Sequence, residues 1–346
     1  MTAHAEDALR DVTLDEIRAA ADRIAGRVSR TPMLASRSAA RRVEETAGVT
    51  LGAGPVADGQ PRLFLKAEHL QVTGSFKPRG ATNRVLQLTD EERQAGLITL
   101  SAGNHAQAVA YAASSAGLVV TVVMPAGASR AKVDAATAYG ATVVLHGEHV
   151  GDTFARMEEL REERGLVFIH PFDDPAIIAG QGTVGLEIVE DLPEVDVVVV
   201  GVGGGGLISG VSAAVKQLRP GTRVIGVEPE RSDALSRGLT AGEPVALQPV
   251  SIADGLGAPF AGRWTIDLAR RYVDRVVLVD EATIASGMRF ALERMKQLLE
   301  PAGAAALGAV LNGRVPFHDG ETVCVVASGG NVEVARLPEL LALAAS

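Results

Sequence analysis

The segment "VDVVVVGVGGGGLISGVSAAV", residues 195–215, constrains the fold more than any other. A run of valines without polar alternation reads as a strand buried on both faces. Four consecutive glycines follow it, and then a helix. Such a strand belongs in a parallel sheet with helices packed on either side. The same unit recurs along the chain. "RLFLKAEHL" precedes "KPRGATNRVLQL", "LITLS" precedes "AGNHAQAVAYAASSAG", and "LVVTVVMP" precedes "SRAKVDAATAYG". "ATVVLHG" precedes "VGDTFARMEELREERG", and "LVFIHPF" precedes "AIIAGQGTVGLEIVEDL". "RVIGVEPE" and "ETVCVVASGGN" add strands. "DEATIASGMRFALERMKQLL" reads as mostly helical, with Gly287 weakening its middle. "AGAAALGAVL" is a second, small-residue helix after Pro301. The expected class is α/β with a mostly parallel sheet. Residues 46–62, "TAGVTLGAGPVADGQPR", form a glycine-rich connection expected to be mobile.

Composition narrows the function. With 346 residues, 47% of them hydrophobic, the chain can bury a sizeable core. Its formal charge of −9 and its lack of a long basic tract argue against nucleic acid as a partner. No uninterrupted apolar stretch is long enough for a membrane span. The N-terminal "MTAHAEDALRDVTLDEIRAAADRI" is acidic and amphipathic, unlike a secretory signal. The single cysteine, Cys324, lies in an apolar run and reads as a buried small hydrophobe, which fits the cytoplasm.

Four clusters carry chemistry. At 200–210, "VGVGGGGLISG" places Gly203, Gly204, Gly205 and Gly206 between a strand and a helix. Exposed backbone N–H groups and a helix N-terminus suit a phosphate. No Gly-Lys-Ser/Thr follows, so this is not a Walker A loop. Gly201, Gly203 and Gly206 match dinucleotide spacing formally, which keeps a nucleotide-binding regulator as an alternative. At 101–113, "SAGNHAQAVAYAA" offers Ser101, Gly103, Asn104 and His105 to a carboxylate or oxyanion. The seven histidines show no metal-ligand spacing, and no metal-centred site is expected. At 326–331, "VASGGN" puts the Ser328 hydroxyl at a strand end, where it could meet a heteroatom of a bound ring. At 73–83, "TGSFKPRGATN" sets Lys77 beside Phe76 and Pro78. A buried amine loses its proton more readily and can join an aldehyde. A phosphate cradle, an amine and a carboxylate loop are the parts that pyridoxal phosphate chemistry on an amino acid needs.

"TGSFKPRGATN", "SAGNHAQAVAYAA", "VGVGGGGLISG", "SIADG", "EPAG" and "SGGN" occur in the order seen in the threonine/serine dehydratases and serine racemases. The chain resembles these fold type II pyridoxal phosphate enzymes from about residue 25 to residue 335. The resemblance implies two open, mostly parallel twisted sheets flanked by helices, tryptophan synthase β-like. It divides the chain into 1–95, a small mobile domain at 96–171, and 172–346, with the outer parts forming the large cofactor-binding domain. It implies that Lys77 carries pyridoxal 5'-phosphate and that Phe76 lies beside it. Asn104 would bond the ring hydroxyl and Gly203–Gly206 the phosphate, while Ser328 would meet the ring nitrogen. Glu300 would lie near the ring. Ser101, Gly103, His105 and Asp254 would face the substrate. The implied reaction is loss of water from L-threonine or L-serine, giving 2-oxobutanoate or pyruvate plus ammonia. A homodimer or homotetramer is implied as well.

Two departures modify this picture. Serine racemases carry a second serine where this chain has Ala102, which cannot move a proton, so elimination should dominate over racemisation. At the family's divalent-cation site Glu228 matches and Ser232 offers a carbonyl. The aspartate position is Ala234, with Asp233 one residue early, so a divalent or monovalent cation is only weakly supported. Nothing after residue 335 provides room for the family's regulatory domain. Relatives acting on 3-hydroxyaspartate or phenylserine remain alternatives. An acidic substrate would want an extra cation, but Arg79 and Arg130 read as surface or interface groups.

Overall fold

The computed structural model describes residues 9–345. The opening of the acidic N-terminal stretch, residues 1–8, lies outside the described residues. Ten strands run in chain order: β1 (Met33–Ser36), β2 (Leu63–Lys66), β3 (Leu97–Leu100), β4 (Val120–Met124) and β5 (Thr142–Leu145), then β6 (Val167–Phe168), β7 (Val197–Gly201), β8 (Arg223–Pro229), β9 (Arg275–Val279) and β10 (Val323–Val326). They form two sheets. One has six strands in the order β1-β2-β10-β7-β8-β9, the other four in the order β5-β4-β3-β6. Every pairing is parallel except β1 with β2.

The valine run Val197–Val200 lies in β7, fully buried beside β10 and β8. Its residues alternate between two cores. Val197 and Val199 pack with the alanines of the helix Pro301–Leu311. Val198 and Val200 pack with Leu207, Ile208 and Val211 of the helix Gly206–Leu218. Helices on both faces leave no solvated side, which explains the unbroken hydrophobic strands. Cys324 sits in the same layer between Phe64 and Val198, and burial pushes its thiol up to about 12. In the smaller sheet, Leu97, Val120 and Val122 meet the alanine face of the helix Asn104–Ser115. Ile98 and Val123 meet Met157 and Leu160 on the other side. No helix among the described residues is long and apolar enough to cross a membrane.

Several local expectations change. The strand read in "LVFIHPF" shortens to Val167–Phe168, with Ile169 N–H still donating to the Ile98 carbonyl at 2.9 Å. The structure adds the antiparallel edge strand β1 and the strand β9 to the strands expected. Gly287 does not weaken a lone helix. A Cβ there would lie 2.6 Å from the Ala304 carbonyl, and one at Gly308 would lie 2.3 Å from that of Thr283. Glycine at both positions lets the helices Glu281–Phe290 and Pro301–Leu311 touch backbone to backbone. Beyond Phe290 the coil widens into a π-helical turn, Ala291–Met295. The connection 46–62 is tied at several points rather than loose. Thr50 N–H donates to Asp319 at 2.8 Å and Gly52 N–H to the Glu321 carbonyl at 2.8 Å, while Arg62 pairs with Asp58.

Candidate active site

Four strands of the two sheets end at one place. β2 leads into the Lys77 segment, β3 into 101–105, β7 into 203–206 and β10 into 328–331. Ligands gather at the carboxyl ends of parallel strands, because the loops and helix N-termini there present free N–H groups.

Lys77 stands immediately before the helix Pro78–Val85. Its Nζ donates to the Pro171 carbonyl at 3.0 Å and lies 5.2 Å from the centre of the Phe76 ring. Desolvation lowers its pKa to about 8, against the pull of Glu300. The segment is anchored beside β10: Phe76 N–H donates to the Ser328 carbonyl at 3.1 Å, and Ser75 bridges Gly329. Ser328 is buried, and its hydroxyl reaches the Ala302 carbonyl at a long 3.5 Å, which leaves it available to a better partner.

The glycine loop rests directly on neighbouring side chains. A Cβ on Gly204 would lie 2.4 Å from the Phe172 ring. One on Gly205, at φ +93, would lie 2.7 Å from Thr265. Thr265 also holds the loop by donating to the Gly204 carbonyl at 2.8 Å. Only glycines allow this seat, with backbone rather than side chains lining the loop. The first turn of the helix Gly206–Leu218 adds its unpaired N–H groups.

Asn104 begins the helix Asn104–Ser115 and reaches across to the large sheet. Its Nδ2 donates to Glu300 Oε1 at 2.6 Å, and its Oδ1 accepts from Asn331 Nδ2 at 2.8 Å. Burial raises the Glu300 carboxyl to about 7. Gly329 must be glycine beside it, since a Cβ would lie 2.1 Å from Glu300 Oε1. Ser101 accepts from Gly103 N–H at 3.1 Å, and Gly103 faces open space. The His105 ring is held by the chain itself. It is buried, its Nε2 meets the Ile169 carbonyl at 3.1 Å, and burial with nearby Lys77 lowers its pKa to about 3. What it can still offer an anion is its backbone N–H. Asp254 is exposed at the edge, 3.4 Å from Lys132 and 3.7 Å from Arg336.

The residues that sequence reading missed are "HPFDD", 170–174. His170 Nδ1 accepts the N–H groups of Phe172 and Asp173 at 3.2 and 2.8 Å, which fixes its ring. Burial and Lys77 lower its pKa to about 4. The Pro171 carbonyl receives Lys77, and Phe172 supports the glycine loop. Asp173 caps the helix Arg263–Tyr272, accepting from Arg263 and Trp264 N–H at 3.1 and 2.9 Å. Asp174 caps the helix Pro175–Asp191. The available signal was an aspartate directly before proline, a helix start that ends the strand early.

Arg79 corrects another reading. It is 1% exposed, not a surface group. Its guanidinium holds both oxygens of Glu68 at 2.8 Å and those of Glu187 at 2.7 and 2.9 Å. Lys66 joins at 2.6 Å from Glu187. Arg130 is exposed, as read.

At the cation position, Glu228 accepts from Leu235 N–H at 2.7 Å, Ser236 N–H at 3.0 Å and the Ser236 hydroxyl at 2.6 Å. Asp233 turns to Arg237 at 2.7 Å. Among the described residues no group of three or more His, Cys, Asp or Glu could hold a metal ion. Burial raises Glu228 to about 7. The folded state therefore keeps a proton that the unfolded chain loses above about pH 4.5. This carboxyl thus weakens folding as pH rises from there to 7. The Glu228→Gln variant should gain stability relative to the parent across that window, read as urea midpoints at several pH values. A constant difference would contradict this assignment.

Pyridoxal phosphate fits these residues. The glycine seat would be filled by any side chain, the helix N-terminus suits its phosphate, and an amine of lowered basicity stands ready for its aldehyde. The comparisons decide the matter. The family described as pyridoxal-phosphate dependent enzyme matches residues 44–329. The L-threonine ammonia-lyase of Thermotoga maritima is 46% identical over 81% of this chain and 69% of its own. The catabolic L-threonine dehydratase of Escherichia coli K12 is 40% identical over 95% of this chain and 96% of its own.

The chain belongs to the threonine dehydratase/serine racemase family of pyridoxal-phosphate dependent enzymes.

Its fold agrees. The maize serine racemase structure superposes with a TM-score of 0.86 at 36% identity, covering 94% of this chain and 96% of that one. The two mostly parallel sheets are thus the fold type II arrangement that the motifs implied. The nucleotide-binding regulator reading is set aside for this pyridoxal phosphate-dependent enzyme.

Proposed function

We propose that this family member is a threonine/serine ammonia-lyase, converting L-threonine or L-serine to a 2-oxo acid and ammonia. The observation that carries the reading is Lys77. Among the described residues it is the one amine that combines a depressed pKa of about 8, a place between the glycine loop and the carboxylate loop, and an apolar neighbour in Phe76.

Pyridoxal phosphate, when bound, supplies an electron sink that acidifies the α-C–H of an amino acid. The chain's residues do the rest. Gly203–Gly206 and the helix behind them would hold the phosphate. Ser101 and the N–H groups at Gly103–His105 orient the substrate carboxylate. Asn104 and Ser328 would bond the ring hydroxyl and nitrogen, with Glu300 beside them. Lys77, with basicity matched to neutral pH, takes the α-proton. Its opposite number in racemases is absent, because Ala102 can neither hold nor deliver a proton. Both neighbouring histidines stay neutral and do not compete with Lys77 for the charge.

The unit 96–171 is proposed to move as a small domain and close over the site, excluding water. Ser129 reaching Glu333 at 2.8 Å and Lys132 reaching Asp254 at 3.4 Å support this, since they join the two parts at the site's edge. Lys132 is thereby matched by a carboxylate, which disfavours 3-hydroxyaspartate as substrate. Assembly as a homodimer or homotetramer belongs to the same proposal and rests on the resemblance.

The test is a panel of L-threonine, L-serine, 3-hydroxyaspartate isomers and phenylserine, with 2-oxo acid release and chirality of the remaining substrate both followed. Threonine or serine should give the highest kcat/KM, with negligible D-serine formed from L-serine. Preference for another member, or D-serine exceeding pyruvate, would overturn the reading.

A further inference from the structure

The "SGGN" stretch contributes Ser328 and its glycines to the site, but its last residue has no role so far. Asn331 is exposed, yet its amide nitrogen joins two other segments. Nδ2 donates to the Thr73 carbonyl at 2.7 Å and to Asn104 Oδ1 at 2.8 Å. An amide nitrogen has two hydrogens, so both are used. Gly74, at φ +74, passes so close that a Cβ on it would lie 2.3 Å from Asn331 Oδ1. Thr73 beside it is one of two non-glycine residues with positive φ among those described, at φ 65. The Thr73 carbonyl is held by Asn331 just where the chain turns toward Lys77.

Asn104 can be accounted for atom by atom. Its Oδ1 accepts from Asn331 and one Nδ2 hydrogen goes to Glu300, leaving the second hydrogen free. Glu300 cannot fix that arrangement unaided. Near neutral pH its carboxyl is held partly protonated, and a carboxylic acid can accept from an amide N–H or donate to an amide oxygen. Asn104 could turn over and still satisfy it. Asn331 Nδ2 can only donate, so it accepts one orientation alone.

We propose that Asn331 is a positioning residue that locks the Asn104 amide with its nitrogen toward the cofactor, so that the free hydrogen meets the oxygen on the pyridoxal phosphate ring. This rests on the reading that Asn104 faces that oxygen. The two claims separate in a double-mutant cycle on the dissociation constant of pyridoxal phosphate and the position of its visible absorption band, neither of which needs turnover.

Asn104→Ala should weaken binding about tenfold and move the band, as expected for loss of one hydrogen bond to a charged group. Asn331→Ala should weaken binding about threefold and move the band in the same direction. The double variant should bind no more weakly than Asn104→Ala, because the second residue acts through the first. If Asn331→Ala unfolds, Asn331→Asp keeps the contact with Gly74, lacks both donors and should move the band at least as far. Band and affinity unchanged in Asn104→Ala would remove the underlying reading and this inference with it. A shifted band and weakened binding in Asn104→Ala beside unchanged values in Asn331→Ala, or fully additive effects in the double variant, would overturn the inference alone.

Discussion

Replacing Lys77 with alanine should lower 2-oxo acid release by at least about 10³-fold, the scale of a lost proton-transferring nucleophile. The same change should leave the fold standing. The Lys77 side chain makes one hydrogen bond, to the Pro171 carbonyl, and its amine is desolvated without a directly paired carboxylate. Removing a poorly compensated cation from such a place costs the folded state little. The chemical signature is direct. Borohydride treatment of the parent enzyme should fix the cofactor's mass on the peptide containing Lys77, and the alanine variant should show no such adduct. A variant with near-parental turnover, or an adduct mapped to another lysine, would remove Lys77 from the mechanism.

Arg79→Met should have the opposite profile, with a large loss of stability. The guanidinium lies between two carboxylates, Glu68 and Glu187, with Glu68 fully buried. Burial opposes its charge, yet the two carboxylates hold its pKa above the ordinary arginine value. Glu187 is correspondingly lowered, although burial works the other way. A methionine of similar length would strand both carboxylates with only Lys66 to answer Glu187. Breaking one partner of a buried ion network costs about 3–5 kcal/mol. Chemical unfolding of the two proteins reads this as a difference in unfolding free energy. A loss below about 1 kcal/mol would show that the network is not needed for folding. Activity at low temperature is a second reading, because Arg79 lies two residues beyond Lys77 and holds the helix that presents it.

Much of this arrangement was legible in the sequence because its chemistry is local. Valine runs ending in glycine, as at 197–206, show both the strand and the anion seat, since the buried sheet and the backbone cradle are written in adjacent residues. Lys77 stood out through its apolar neighbours. What stayed hidden depends on contacts distant along the chain. Arg79 looked like any surface arginine because Glu187 is 108 positions away. The partner of the His105 ring, the Ile169 carbonyl, lies 64 positions on. The segment 170–174 looked like the end of a strand. Its turn toward the site follows from helix caps at Asp173 and Asp174, the first of which serves a helix some 90 residues later. Gly287 gave a misleading signal for the same reason. Its value lies in a partner helix, whereas propensity counts only its cost to its own.

The most direct test of the account is a product balance. The enzyme saturated with pyridoxal phosphate is incubated with L-threonine, and 2-oxobutanoate and ammonia are measured together over time. The account predicts that both appear at the same rate, one for one, and that neither appears with the Lys77→Ala protein. Absence of both products, or ammonia released without the 2-oxo acid, would contradict β-elimination at this site.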